Sequence, residues 1–156
     1  MKNKNQKWST AELAWMNKIL SNIPSEYRAR FKKDFGRKLI VSAKTGNAQM
    51  VLEWISGEKD TIYLSTLVVG KKDRNKGIGT DLLNIAINLC KVCKRRELSV
   101  RSVLSESQRL WLEKQGFRDM EMMYTNETLT WLDFVFDIWW VKLSAVELYT
   151  LFIQNK

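Results

Sequence analysis

Residues 67–83 read LVVGKKDRNKGIGTDLL, and the expected architecture follows from this stretch. It begins with apolar, strand-forming residues, continues through a loop of cations and amides, and enters a helical pattern near Gly77. The apolar stripe of that helix consists of Ile78, Leu82, Ile85, Ala86, Leu89 and Cys93. Because the first N–H groups and the macrodipole of a helix attract anions, a strand, loop and helix in this order predict an anion site.

The loop between strand and helix is rich in cations and glycines. Its four cations are Lys71, Lys72, Arg74 and Lys76. Gly77 and Gly79 let an anion approach the backbone without obstruction by a Cβ atom. The residue order matches neither the GxxxxGK[ST] loop nor the GxGxxG loop, and it fits a diphosphate group best.

Three strand-like runs precede this unit, at 38–44, 48–55 and 61–69. The turn clusters TGN and SGEKD separate them. Connections this short predict an antiparallel meander.

Two helices are predicted before the meander. Ser9 and Glu12 have the spacing of a capping box, and the apolar pattern that follows them stops at Pro24. A second, basic helix is predicted over 25–35, because its apolar residues are spaced four apart. They are Tyr27, Phe31 and Phe35.

Downstream of the loop and its helix, 97–103 alternates as a strand and a further helix follows, with Ser105 and Gln108 as its capping box. The aromatic-rich segment 119–156 predicts more strands and a C-terminal helix from about Ser144. The sequence therefore predicts one α+β domain over 1–156, in which helices flank a mixed sheet with an antiparallel N-terminal meander.

The composition excludes several classes of protein. With 45% apolar and 28% charged residues, the chain of 156 residues is neither disordered nor too polar to form a core. Charged residues interrupt the longest apolar-rich stretch, 128–143, so no membrane span is expected. Two Cys and no apolar export signal predict a cytoplasmic location. The absence of His removes the commonest metal ligand and proton shuttle, and no metal site is expected.

The net charge of +9 lies in two blocks. Residues 1–40 contain ten basic and three acidic side chains, and 71–118 contain twelve and five. Such blocks indicate either a polarised surface that faces an anionic partner or ordinary solvated faces.

The segment Arg74 to Thr80, read as R-x-x-G-x-G, resembles the acetyl-CoA pyrophosphate loop of the GCN5-related N-acetyltransferases (GNAT). The LVV at 67–69 is similar to the end of the family's fourth strand, and LEKQGF at 112–117 resembles the end of its last conserved helix. The resemblance covers about 9–118 and implies a GNAT-type mixed sheet.

The resemblance also implies a function, the transfer of an acetyl group from acetyl-CoA to an amine without a metal. Backbone groups of the fourth strand would hold the pantetheine arm, at Leu67, Val68 and Val69. The loop would hold the pyrophosphate, through Arg74, Asn75, Lys76, Gly77, Ile78, Gly79 and Thr80. The amine would attack the thioester directly, so orientation and oxyanion stabilisation matter most.

Two positions depart from the family's pattern. Leu112 stands where a Tyr often protonates the leaving thiolate, and Ser65 stands where the fourth strand often has a carboxylate. Ser65, as the holder of a water, and Tyr124 are the candidate catalytic residues, with Tyr63 and Glu53 as further substitutes. The spacing does not choose among them, and both tyrosines also fit half-buried strand positions.

Without an evident base, the enzyme is expected to favour amines that are already deprotonated. At pH 7 an α-amine is ~10–15% free base and a Lys amine ~0.04%, roughly a 300-fold difference. Together with the basic blocks, this favours an α-amine on or near a polyanion, such as aminoacyl-tRNA or a ribosomal protein N-terminus.

Two alternatives stay open for the whole chain. It is either an active acyltransferase, whose donor carries acetyl or a longer acyl group, or a catalytically silent GNAT scaffold that binds nucleic acid or an acidic partner through the basic segment 25–35.

Two lesser signals concern packing. Cys90 and Cys93 lie within one helix without further ligands and predict buried thiols. The aromatic segment 131–143 predicts either a homodimer interface or core strands, or else a wall of the acceptor groove.

Overall fold

The computed structural model describes residues 7–33, 36–103, 106–119 and 132–137, with side chains for all except 101–103, 118–119 and 132–137. Within these ranges the α-helices are α1 (Thr10–Leu20), α2 (Ile78–Val92) and α3 (Glu106–Lys114), and a short 3-10 helix lies at Lys71–Asp73. The strands are β1 (Tyr27–Lys33), β2 (Arg37–Ala43), β3 (Ala48–Trp54), β4 (Thr61–Val69), β5 (Glu97–Val103), β6 (Arg118–Asp119) and β7 (Leu132–Asp137).

The strands form one sheet in the order β1-β2-β3-β4-β5-β7-β6. β1 to β4 form an antiparallel meander, β4 and β5 are parallel, and β7 pairs antiparallel with both β5 and β6. The predicted α+β class with a mixed sheet is confirmed. The three strand-like runs of the sequence correspond to β2, β3 and β4.

The predicted helix over 25–35 is wrong, because Tyr27–Lys33 forms strand β1. Residues four apart share a face in a strand as well as in a helix, so the spacing of Tyr27 and Phe31 fits both structures. The exposure of β1 alternates with every residue, and Arg28, Arg30 and Lys32 point away from the core. Pairing with β2, which places Phe31 opposite Leu39, selects the strand. Among the residues that the structure describes, one helix and four strands therefore precede the loop.

Helix α1 begins with the predicted capping box. The Ser9 Oγ accepts a hydrogen bond from the Glu12 amide at 3.2 Å, and the Glu12 carboxylate accepts one from the Ser9 amide at 2.8 Å. The Trp15 ring lies 5.3 Å from Phe31 and 5.3 Å from Trp54 between ring centroids. Helix α1 therefore packs on the face of β1 and β3.

Helix α2 packs on β3, β4 and β5 and buries one face against them. Its buried residues are Leu82, Leu83, Ile85, Ala86, Leu89 and Cys90. The predicted helical stripe is confirmed. These side chains join Ile19 of α1 and the inward residues of β2 to β5 in one cluster.

Several predictions concern residues outside the described ranges. They are the cap at Ser105, the aromatic residues Trp131, Trp139 and Trp140, and the helix from Ser144. The dimer through 131–143 stays a prediction. In the part of the chain that the structure describes, no helix has the length and hydropathy needed to span a bilayer.

Candidate functional site

A cleft opens where β4 and β5 separate. The parallel register joins Thr61–Leu64 to 97–100 and ends there, whereas β4 continues to Val69 with β3 as its only partner among the described strands. A cavity of about 820 Å³ occupies the gap. On the edge of β4 that faces away from β3, the backbone N–H and C=O groups beyond Leu64 therefore face the cleft.

Ser65 lies at a β-bulge in the middle of β4. Leu64 pairs with Leu52 and Thr66 pairs with Val51, so Ser65 is the extra residue. Its hydroxyl donates to the Val51 carbonyl at 3.3 Å, and the side chain is exposed at the cleft. Bulges redirect side chains and end strand pairing, and this one coincides with the start of the opening.

The end of β4 lines the cleft as the sequence led us to expect. Leu67, Val68 and Val69 all border it, opposite Met50, Gln49 and Ala48 of β3 in the register. Val68 is 53% exposed, which is high for a Val in a strand and indicates an open surface.

The loop after β4 presents backbone amides to the cleft. Asn75 has φ 61° and Gly77 has φ 81°, and these left-handed residues turn the chain into α2. No side chain caps the helix at Gly77, and its first bond runs from the Asp81 amide to the Gly77 carbonyl at 2.9 Å. The amides of 78–80 precede that bond, so the helix itself does not use them.

Gly79 lies on the wall of the cleft. A Cβ atom at this position would be 3.7 Å from the Val69 side chain and 3.8 Å from the Trp111 ring, which is ordinary contact. The glycine therefore keeps a space open between the end of β4 and α3 without being needed for backbone conformation.

The cations of the loop have different partners. The Arg74 Nε donates to the Val69 carbonyl at 3.1 Å, which joins the exposed guanidinium to the end of β4. The Lys76 ammonium turns instead toward the Asp73 carboxylate at 3.4 Å. Of the predicted loop residues, Arg74, Asn75, Gly77, Ile78, Gly79 and Thr80 line the cleft, and Lys76 does not.

Asp73, which no pattern in the sequence indicates as a functional residue, holds the loop in place. Its carboxylate accepts a hydrogen bond from the Asn47 amide at 2.8 Å, and the Asn47 carbonyl accepts one from the Gly70 amide at 2.6 Å. The Asn47 hydrogen bond holds the pKa of Asp73 below its usual range, with help from Lys76 and Lys72 and against the effect of desolvation. In the sequence, the one feature that could have indicated this role is that Asp73 is the single carboxylate among the cations of the loop.

Leu112 occupies the position at which a Tyr of the GNAT pattern often protonates the leaving thiolate. It is 3% exposed and belongs to the core, and it borders the cleft beside Trp111. The other side chains that α3 contributes to the cleft are Ser107 and Gln108. Among the residues that the structure describes, no Tyr lines the cleft.

The substitute acids and bases lie elsewhere. Tyr63 is 8% exposed on β4 opposite Glu53 of β3, and neither residue borders the cleft. Glu53 pairs with Lys38 at 3.2 Å. Tyr124 lies outside the described residues. Ser65 is therefore the one candidate catalytic residue that the described part of the chain brings to the cleft.

Cys90 and Cys93 are packing residues in this structure. The Cys90 thiol is buried and donates to the Glu97 carbonyl at 3.8 Å. Burial raises the pKa of both thiols. Across the described residues, no three Cys, Asp or Glu side chains are grouped as a metal site would require.

Comparison with known proteins agrees with this architecture. The family model of the acetyltransferase (GNAT) domain matches residues 6–137. No curated protein matches the sequence.

Three solved structures show the same fold. A GNAT family acetyltransferase from Elizabethkingia anophelis, with acetyl-CoA bound, is 14% identical over 73% of this chain and 99% of its own, with a TM-score of 0.51. A putative GNAT acetyltransferase from Desulfovibrio desulfuricans is 13% identical over 66% and 70%, with a TM-score of 0.56. A GNAT family acetyltransferase from Staphylococcus aureus is 17% identical over 85% and 81%, with a TM-score of 0.51. With the family model matching most of its length, the chain belongs to the GNAT acetyltransferase family.

Proposed function

We propose that the chain transfers an acetyl group from acetyl-CoA to an amine, and that the cleft between β4 and β5 binds acetyl-CoA. One observation carries this proposal: the open backbone edge of β4 and a helix N-terminus that has no side-chain cap border the same cleft. The amides of a pantetheine arm need an extended backbone edge, and a diphosphate needs clustered N–H groups.

The cofactor roles follow from this arrangement. The backbone of Leu67, Val68 and Val69 binds the pantetheine arm. The amides from Asn75 to Thr80 and the Arg74 guanidinium bind the pyrophosphate, and Lys71 and Lys72 add exposed positive charge. Lys76 supports the loop through its ion pair with Asp73.

The chemistry requires little from the side chains. The amine nitrogen forms a bond to the thioester carbonyl carbon, the C–S bond breaks, and the nitrogen loses a proton. A thiol has a pKa of about 8.5, so the thiolate leaves readily without an acid. The buried Leu112 is compatible with such a reaction, and Ser65 is the candidate to hold a water near the reacting nitrogen.

The acceptor that suits this site is an amine of low pKa. An α-amine is free base far more often at pH 7 than a Lys side chain. We assign the acceptor to α-amines on or near a polyanion, such as aminoacyl-tRNA or a ribosomal protein N-terminus, because a second block of positive charge lies outside the loop.

Ligand-induced stabilisation tests the cofactor site. Acetyl-CoA at 100 times its Kd should add roughly 2.7 kcal/mol to the free energy of unfolding. Arg74→Ala should reduce this gain, and Lys91→Ala, at an exposed position on α2, is the control. Propionyl-CoA and succinyl-CoA, compared in the same assay, distinguish acetyl from longer donors.

Labelling tests the acceptor. A lysate treated with the protein and labelled acetyl-CoA is separated into protein and RNA fractions, and mass spectrometry locates the label. Label on α-amines supports the assignment, whereas label on Lys side chains alone contradicts it.

One observation favours a second function. The described lining of the cleft contains few groups that could transfer a proton: they are Ser65 and Asp73, and the Asp73 carboxylate already accepts a hydrogen bond from Asn47. The second function is that of a catalytically silent scaffold that binds an acidic partner. Absence of stabilisation by millimolar acetyl-CoA would select it.

A further inference from the structure

Trp111 is the one aromatic side chain of the described residues that lines the cleft. It lies one helical turn after Ser107 and Gln108, so the three share the face of α3 that borders the cleft. The Trp111 side chain is half-buried and packs against the core. The proposed acetyl-CoA contacts come from β4, the loop and the start of α2, and they do not include this ring.

The Trp111 ring lies where three elements meet. The point at which Gly79 would carry a Cβ atom is 3.8 Å from the Trp111 Cζ2 and 3.7 Å from the Val69 Cγ2. Val69 ends β4, and Gly79 lies in the first turn of α2. The ring therefore borders the place where the open strand edge approaches the helix N-terminus.

The indole N–H of Trp111 is available to a ligand. Its Nε1 atom belongs to the same edge of the ring as Cζ2, which faces Gly79. Among the residues that the structure describes, none accepts a hydrogen bond from this N–H. Because a buried Trp N–H usually has an acceptor, a ligand that covers the ring is favoured if it offers an oxygen there.

The position of the ring along the cleft determines which part of acetyl-CoA it meets. Ser65, the residue proposed to hold a water near the reacting nitrogen, is four residues from Val69, about 13 Å along the strand. The ring thus lies nearer the amides proposed for the pyrophosphate than the thioester. In acetyl-CoA the unit next to the pyrophosphate is the pantoyl unit, which has two methyl groups, a hydroxyl and a carbonyl.

We infer that Trp111 binds the pantoyl unit of acetyl-CoA. Its ring packs on the two methyl groups, and its N–H donates to a pantoyl oxygen. An indole suits this unit because it combines a large apolar face with a single donor. The inference rests on the proposed binding of acetyl-CoA in the cleft, and it gives Trp111 a role in selecting the donor but none in the chemical step.

Calorimetric titration with two ligands tests the inference. Acetyl-CoA contains the pantoyl unit, whereas 3′-phosphoadenosine 5′-diphosphate has the nucleotide and the pyrophosphate without the arm. Each ligand is titrated into the wild type, Trp111→Ala, Trp111→Phe and Leu110→Ala. Leu110 is 47% exposed on the same helix and does not border the cleft, so Leu110→Ala is the matched control.

Trp111→Ala should raise the Kd of acetyl-CoA at least tenfold, because a Trp side chain that a ligand covers is commonly a dominant contact. It should leave the Kd of the nucleotide fragment nearly unchanged. Trp111→Phe keeps an apolar ring and loses the N–H, and it should raise the Kd of acetyl-CoA about fivefold. Leu110→Ala should change neither Kd.

Equal losses of affinity for the two ligands in Trp111→Ala would overturn the inference, because the residue would then act through the position of α2 or the loop. A loss of the same size in Leu110→Ala would also overturn it. Trp111→Phe retains the packing against the core, so it decides alone if Trp111→Ala does not fold. An unchanged Kd of acetyl-CoA in Trp111→Phe would then contradict the inference.

Kinetics with truncated donors adds a readout that a merely structural role would not move. S-acetylpantetheine contains the pantoyl unit, and S-acetyl-N-acetylcysteamine lacks it. Trp111→Ala should lower kcat/KM for S-acetylpantetheine roughly tenfold, through KM, and leave kcat/KM for the cysteamine thioester nearly unchanged. Equal losses with the two donors would show that the contact is not with the pantoyl unit.

Failure of this inference is distinguishable from failure of the proposed function. If the wild type, Trp111→Ala and Trp111→Phe bind acetyl-CoA equally well, only the inference fails. If the wild type binds neither ligand, the proposed cofactor site fails and the inference fails with it. If the affinities change as expected but no amine is acetylated, the role of Trp111 is supported and only the proposed acetyl transfer fails.

Discussion

The Asn47 amide donates a 2.8 Å hydrogen bond to the Asp73 carboxylate and thereby fastens the β2–β3 turn to the loop before α2. The glycines beside Asp73 and Asn47 leave little space around this contact. A Cβ atom on Gly46 would come within 2.9 Å of Asp73, and one on Gly70 would come within 3.0 Å of Asn47. A carboxylate weakens the attraction of a loop for anions, so its presence there is best explained by this positioning role.

Asp73→Ala should raise the KM for acetyl-CoA roughly three- to tenfold and leave kcat nearly unchanged, because the variant loses the tether of the loop and no reacting group. Asp73→Asn should restore most of the wild-type KM, since the amide oxygen still accepts from Asn47. Steady-state kinetics with varied acetyl-CoA measures both. A fall in kcat alone would contradict the positioning role.

The same contact predicts a pH dependence. Because the folded state lowers the pKa of Asp73 below its ordinary value of 3.8, the tether is fully present above that value and is lost as the pH falls through the lowered pKa. The difference in KM between the wild type and Asp73→Ala should therefore be constant from pH 6 to 8.

Gly77 and Gly79 should respond differently to Ala. Gly77→Ala places an L-residue at φ 81° and should lower the free energy of unfolding by about 1–2 kcal/mol. Gly79→Ala has room for its Cβ and should leave stability unchanged or slightly raised, but its methyl group enters the cleft and should weaken acetyl-CoA binding. Chemical denaturation and calorimetric titration separate the two effects.

Gly57 provides the matched control for Gly77. It has φ 89°, and like Gly77 it has no atom within 4 Å of a built Cβ. Gly57→Ala should be destabilising to the same extent and should retain acetyl-CoA affinity. A loss of affinity in Gly57→Ala would mean that general destabilisation, and not the loop, controls binding.

Acetyl transfer should follow the ionisation of the acceptor. Among the described residues, Asp73 is the one carboxylate that borders the cleft, and it is engaged with Asn47. The rate at subsaturating amine should therefore rise about tenfold per pH unit until the pKa of the amine is reached. At pH 7 an α-amine should react roughly 300-fold faster than a Lys side chain of equal reactivity. Rates that do not change with amine pKa would reveal an enzymatic base.

The two thiols should react slowly in the folded protein. Burial raises the pKa of Cys90, and the neighbouring Cys93 raises it slightly further. Burial also raises the pKa of Cys93. At pH 8 iodoacetamide should modify Cys93 before Cys90, and both far faster in denaturant. Fast modification of Cys90 in the folded protein would contradict its buried position on α2.

Alkaline pH should destabilise the fold through these thiols. In the unfolded chain the pKa of Cys90 is near its ordinary value of 9.0, whereas burial raises this pKa in the folded protein and keeps the thiol protonated. The contribution of Cys90 is therefore fully present below pH 9 and decreases as the pH rises above it, by at most about 1.4 kcal/mol per pH unit. Urea unfolding of Cys90→Ala from pH 8 to 10 should show a smaller slope than the wild type.

Local signals in the sequence determined several elements correctly. The capping box at Ser9 acts within one helical turn, and the apolar stripe of α2 has a period that only a helix satisfies over 15 residues. The run from Thr61 to Val69 coincides with β4. The sequence also predicted the loop that lines the cleft, because glycines and cations just before a helix are typical of an anion site.

Tertiary structure alone decided the rest. A spacing of four fits a helix and a strand, and pairing with β2 made Tyr27–Lys33 a strand. That pairing also aligned the cations of β1, since strand neighbours alternate between two faces. The contact between Asn47 and Asp73 joins residues 26 positions apart, and no local pattern indicates it. Non-local hydrogen bonds and burial therefore determined strand β1 and the Asn47–Asp73 contact, whereas local periodicity and capping determined α1 and α2.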